Sequence, residues 1–196
     1  MIKCSKLADK RQMILEATEK LLAHYGFHGL SMQLVAKEAG VAAGTIYRYF
    51  DSKNSLILAL HDQVICDVGA QLLAEYDPSS NLRSRFDYLW NQSWALFIEK
   101  PDLLVCKSQF ERLPLELASS MSSAEEEVFA PVKKFWEEGR ASGAFKTMAD
   151  EVFGALTFEV CANLAFKHLA GKVNLDANAL DNVRNACWDA IAADGG

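Results

Sequence analysis

The chain has 196 residues, half of them hydrophobic and about a quarter charged, with a net charge of −6. That composition describes a globular chain and excludes a disordered or fibrous one. The apolar runs fall far short of the roughly 18 residues of a membrane helix, and the polar, charged start Met1–Arg11 predicts no secretory leader. The five cysteines, at 4, 66, 106, 161 and 187, are odd in number and form no CxxC clip. They argue against a disulfide framework or a zinc site, and predict buried free thiols in a cytoplasmic protein.

Charge is unevenly spread. Up to Lys53 there are eight Lys/Arg against five Asp/Glu, a local charge of +3, whereas the remainder carries −9. A basic head on an acidic body suits a protein that meets phosphates with one end.

Apolar residues recur at three- and four-residue spacing throughout, and alternating strand patterns are absent, so the chain reads as all-α with about nine helices. The first runs from about Leu7 to Tyr25, buries Met13, Ile14, Ala17, Leu21 and Leu22, and stops at Gly26. Ser31 caps a second helix over 32–39. Gly40-Val41 forms a tight turn, and a short third helix covers 43–49. Ser52 caps a long fourth helix that ends near Tyr76, before Asp77-Pro78. Its stripe is Leu56, Leu60, Val64 and Val68. Five further helices span about 80–100, 101–113, 123–142, 149–170 and 176–192. Pro101 suits a first turn, Ser123 with Glu126 has capping-box spacing, and Pro131 bends the seventh helix or shifts its start. Gly143 and Gly171 are further stops.

The segment SMQLVAKEAGVAAGTIYRYFDSK, residues 31–53, carries the functional signal. Gly40 permits the positive φ of a sharp helix-to-helix turn, and Ala36, Val41, Ile46 and Phe50 can fix the two helices at a steep angle. Such a pair exposes the start of its second helix to a major groove. Ala43, Gly44 and Thr45 occupy that start, and the two small residues let the backbone approach DNA. Arg48 is the long cation of the third helix and suits a phosphate or a guanine edge, while Gln33 can reach a base or the backbone. Tyr47 and Tyr49 offer hydroxyls to phosphates. Lys53 and Ser31 stand at helix starts, where amides and side chain can share one phosphate. Lys3, Lys6, Lys10 and Arg11 add a nonspecific electrostatic contribution.

On Ala36, Ala39-Gly40-Val41, Thr45-Ile46-Tyr47, Tyr49-Phe50 and Lys53, the first 60 or so residues resemble the DNA-binding signature of the TetR family of transcriptional regulators. The resemblance implies a three-helix helix-turn-helix domain in residues 1–53 and a ligand-sensing, dimerising helical domain in 54–196. It also implies a homodimer that binds double-stranded operator DNA, most simply as a repressor released by a small effector, and an effector site among the fifth to eighth helices. Candidate lining residues are the aromatics Trp90, Trp94, Phe97, Phe110, Phe129 and Phe158. Glu159, set in the apolar run GALTFEVCANLAF, is a candidate counter-charge for a cationic ligand, or else pairs with a base or faces solvent. The effector is therefore expected to be hydrophobic or aromatic, cationic ones included. Each aromatic also has a plain core role. In the family the last two helices pair with their twins. Here they carry Val152, Leu156, Val160 and Leu164, then Leu180, Val183, Ala186, Cys187 and Ile191, which could instead cover the monomer's own core. No cofactor or metal is called for, and no HExxH, GxSxG, Walker A or GxGxxG pattern points to an enzyme. The rival is an all-α adaptor that binds only protein.

Overall fold

The computed structural model describes residues 9–114, 117 and 122–193. Eleven helices occur among them: α1 Asp9–Gly29, α2 Met32–Glu38, α3 Ala43–Ile46, α4 Lys53–Leu72, α5 Leu82–Glu99, α6 Pro101–Phe110, α7 Ser122–Val128, α8 Ala130–Ala141, α9 Asp150–Leu156, α10 Phe158–Leu169 and α11 Ala177–Ile191. The expected all-α architecture is present, with two of the nine predicted helices each broken in two. The chain divides into two compact units, Met1–Asp67 with Asp102–Val128, and Val68–Pro101 with Phe129–Gly196.

Both breaks have local causes. Between α7 and α8, Phe129 leaves the helical region (φ −95°, ψ 15°) and the amides of Val132 and Lys133 both turn to its carbonyl. Pro131, which has no N–H to donate, sits in the new first turn, as its residue type predicts. The second break, at Thr157 (φ −125°, ψ −79°), was not expected. Its buried hydroxyl donates to the Phe153 carbonyl at 2.6 Å, and its amide is drawn to Gly154 instead. A threonine hydroxyl that takes the i−4 carbonyl competes with the helix ladder.

In the first unit, Ile14, Leu15, Leu22, Val35, Ile46, Leu56, Ile57 and Leu60 are buried together with Cys106, Leu113 and Leu117 of the α6 region. Met13 departs from its expected place, 45% exposed, because Leu15 and the back-bonded Thr18 take the inner face of α1. The N-terminal cations Lys3 and Lys6 lie outside the described residues. In the second unit, α5 packs chiefly against α10, and the core holds Phe86, Leu89, Trp90, Phe135, Trp136, Phe145 and Phe153. The expected Ser123 cap lies outside the described side chains.

Two polar side chains are held inside these units. Arg85, 4% exposed, donates to Tyr76 Oη at 2.8 Å and to Glu138 Oε2 at 2.5 Å. That hydrogen bond holds the Glu138 carboxyl below the usual range. His61 is buried with Nε2 3.0 Å from Glu125 Oε1, edge-on to Phe110. Cys106, Cys161 and Cys187 are buried free thiols, and burial pushes the Cys106 thiol up to about 12. Cys66 is disulfide-bonded, a departure from the expectation that argued against disulfides. No described helix is long and apolar enough to cross a membrane.

Candidate functional site

The reader is built by three capping events that the sequence signals directly. Ser31 adopts extended geometry (φ −135°, ψ 151°) and its hydroxyl accepts the Leu34 amide at 3.2 Å, which starts α2. At the other end Gly40 has φ 66°, the Val41 amide donates to the Ala36 carbonyl at 2.9 Å and the Gly40 amide to Lys37 at 3.2 Å. That pair of bonds is a Schellman stop, which requires the left-handed residue. At the start of α4, Ser52 and Ser55 cap each other, amide to hydroxyl in both directions, at 3.0 and 3.1 Å.

Between these fixed ends α3 is short. Only Ala43–Ile46 is α-helical, and Arg48 and Tyr49 continue it with amides donated three residues back, to Thr45 and Ile46. Ile46 and Phe50 are buried, and Arg11 lies over the Phe50 ring at 5.3 Å. The opposite face is bare: Gln33, Ala43, Gly44 and Arg48 are exposed, with Tyr47 53% and Tyr49 39% exposed, and Thr45 half-buried. Nothing lies within 4 Å of where a Cβ on Gly44 would stand. Ser31 is exposed as well. Lys37, exposed in the last turn of α2, adds a cation that the sequence pattern does not mark, because it is not among the motif residues that carry the resemblance. Lys53 is placed differently from its neighbours, half-buried with Nζ donating to the Phe27 carbonyl at 2.5 Å.

Residues 14–60 match the family described as bacterial regulatory proteins, tetR family, and residues 81–192 match the tetracyclin repressor-like C-terminal domain. The chain belongs to the TetR family. This TetR-family chain is 36% identical to a transcriptional regulator TetR family protein from Vibrio parahaemolyticus, with a TM-score of 0.84 over 94% of this chain and 99% of that one. It is 27% identical to an HTH-type transcriptional regulator of Haemophilus influenzae, over 93% of this chain and 96% of the relative. A structure of FadR from Bacillus subtilis in complex with stearoyl-CoA shares the fold at 19% identity, with a TM-score of 0.72 over 91% and 95% of the two chains. The TetR-family protein is a DNA-binding transcriptional regulator of the helix-turn-helix type.

Of the residues expected to meet an effector, Trp90, Trp94, Phe97, Phe129 and Phe158 come together in the second unit's core. Trp90 and Trp94 stack at 6.1 Å with planes 1° apart, and Phe158 lies 5.8 Å from Trp136 and 6.5 Å from Phe86. Phe110 is not among them and packs against the first unit's core. Glu159 is solvent-facing in the first turn of α10. On the last helices, Val152 and Leu156 of α9 are exposed, as are Phe166 (52%) and Leu169 of α10. Cys187 and Ile191 of α11 are instead buried in the unit's own core, which corrects their expected place on an outer face.

Proposed function

We propose that this TetR-family regulator works in the cytoplasm as a homodimeric repressor, with the reader in residues 1–53 and effector sensing and dimerisation in residues 54–196. The carrying observation is the bare face of the reader: Ile46 and Phe50 hold α3 from within, while Gln33, Ala43, Gly44, Tyr47, Arg48 and Tyr49 face solvent. Ala43 and Gly44 let the backbone approach the groove floor. Arg48 and Gln33 can pair in a bidentate way with guanine and adenine edges, and Thr45 can meet a thymine methyl. The tyrosine hydroxyls, Lys37 and Ser31 supply phosphate contacts that fix register.

One short reader gives little affinity, so two are linked. The exposed Val152, Leu156, Phe166 and Leu169 are the surface we assign to a second copy. Footprinting should then show a palindrome whose half-sites lie about 34–36 Å apart, or somewhat more. The effector is read as an apolar or aromatic molecule entering among Trp90, Trp94, Phe97, Phe129 and Phe158. The exposure of Glu159 favours an acyl-type or neutral ligand over a cation, and the stearoyl-CoA bound by the FadR neighbour makes acyl-CoAs the first compounds to test. Release requires only that the effector prefer the non-binding state by a few kcal/mol.

The test is operator binding by fluorescence anisotropy at several salt concentrations, with and without acyl-CoAs. A steep salt dependence, a loss of about 1–3 kcal/mol in Arg48→Ala, and release by ligand are expected. Salt-independent binding, or no binding to any upstream duplex, would return the protein to the adaptor reading.

A further inference from the structure

One face of α10 is committed to its own unit's core through Cys161, Ala162 and Ala165. The opposite face carries Glu159, Asn163, Phe166 and Lys167, all exposed. Spacings of three and four residues set these side chains in one row on a helix. Among the described residues, Glu159, Asn163 and Lys167 have no side-chain hydrogen bond or ion pair. The order along the axis is acid, amide, base. Glu159 and Lys167 each stand four residues from Asn163, about 6 Å to either side of it. The exposed face of α11 is different in kind. It presents Asp181, Asn182, Asn185 and Asp189, and its cation Arg184 is held by Asp87 at 3.0 Å and by Asp181 at 2.9 Å. The apolar surface that needs cover is therefore on α10, around Phe166.

We infer that α10 packs antiparallel against α10 of a second copy, with Asn163 at the twofold axis and Glu159 of each copy paired with Lys167 of the other. A twofold contact is isologous: where residue i of one copy meets residue j of the other, j also meets i. Parallel helices would set each residue against its own twin, Glu159 against Glu159 and Lys167 against Lys167, which is repulsive at both places. Reversing one helix about Asn163 exchanges positions 159 and 167 and makes both contacts attractive. The same operation exchanges 160 and 166, so each Phe166 ring lies on Val160 of the second copy. It also brings the two Asn163 amides together. An amide both donates and accepts, so the pair can satisfy itself. A single amide pair in an otherwise apolar seam fixes register, because any slip leaves it unpartnered. Glu159 is then spent on assembly, which is why it faces away from the aromatic core.

This pairing rests on the homodimer proposed above, and the two separate experimentally. The dimer dissociation constant is measured by sedimentation over a dilution series for the wild type, Glu159→Lys, Lys167→Glu and the double variant. Each single reversal turns two attractive contacts into two repulsive ones and should raise the constant by about tenfold or more. The double variant restores opposite charges in exchanged order and should return to within about threefold of the wild type. All the changed side chains are exposed, and far-UV circular dichroism confirms that each variant is folded. A double variant no tighter than its weaker parent, or single reversals that leave the constant unchanged, would overturn the register. Cysteine cross-linking on a non-reducing gel gives a second readout. Asn163→Cys should link to its twin under mild oxidation. Glu159→Cys, whose twin stands about 12 Å away along the axis, should not, and should link once Lys167→Cys is added. Self-linking of Glu159→Cys alone means parallel packing and refutes the inference. A wild-type protein that stays monomeric at every concentration removes the homodimer and the register with it, whereas a dimer indifferent to both reversals fails the register alone.

Discussion

Gly139 lies inside α8, where alanine is ordinarily the better residue by about 1 kcal/mol. Gly139→Ala should nevertheless destabilise the protein. A Cβ built there would stand 2.0, 2.1 and 2.6 Å from three atoms of the Phe145 ring, far inside contact distance. The ring has nowhere to go. Its own amide donates to the Gly139 carbonyl at 3.0 Å, and the flanking backbone is pinned to the end of α11 by Lys146 N to Ile191 O and Ala193 N to Ala144 O, both at 2.9 Å. Around it stand Phe135 at 5.2 Å, Trp188 at 5.6 Å, Phe153 at 5.7 Å and Trp136 at 5.9 Å. Expelling a buried phenylalanine forfeits about 3 kcal/mol. Set against the helix-propensity gain, the net loss is about 2 kcal/mol. For a chain of this length that lowers the melting temperature by roughly 4–8 °C. Thermal unfolding followed by tryptophan fluorescence reads it, and adding Phe145→Leu should recover part of the loss. A Gly139→Ala variant that melts at or above the wild-type temperature would refute the packing argument.

Gly40→Ala meets no atom within 4 Å, so its cost is conformational only, about 1–2 kcal/mol for a left-handed alanine at φ 66°, read as a lower urea midpoint and weaker operator binding. Phe166→Glu should convert dimer to monomer in size-exclusion chromatography with light scattering and weaken operator binding, because the ring is the most exposed apolar side chain of the surface assigned to the partner. Glu138 has a depressed folded-state pKa, through the Arg85 hydrogen bond first, so its stabilising contribution is present above the ordinary value of 4.5 and is lost as pH falls below it. The urea midpoint should therefore drop on acidification, and drop less in Glu138→Gln. Cys106 and Cys161, whose thiols burial pushes well above neutral, should react with Ellman's reagent at pH 8 only after denaturation.

The ends of the elements were written in the residues themselves. Ser31, Gly40 and Ser52 act through bonds that span three to five positions, so their geometry follows from residue type and spacing, and the ends of the reader's helices were legible in the sequence. The same locality explains why Gly26 and Pro131 interrupt helices where expected. The break at Thr157 is also local, but many helix-borne threonines bond back to i−4 without breaking the ladder, so the residue type alone did not announce it. Which apolar face is buried is a different kind of question. Met13 and Leu15 are equivalent to a helical period, and so are the inner and outer faces of α11; the choice is made by what packs against them. The placement of Phe110 in the first unit and the capture of Lys53 by Phe27, 26 residues away, likewise depend on partners distant in the chain. A sequence determines short-range geometry because the interacting groups are covalently close, whereas the destination of a long side chain is settled only when the tertiary fold brings a carbonyl, a ring or a carboxylate within its reach.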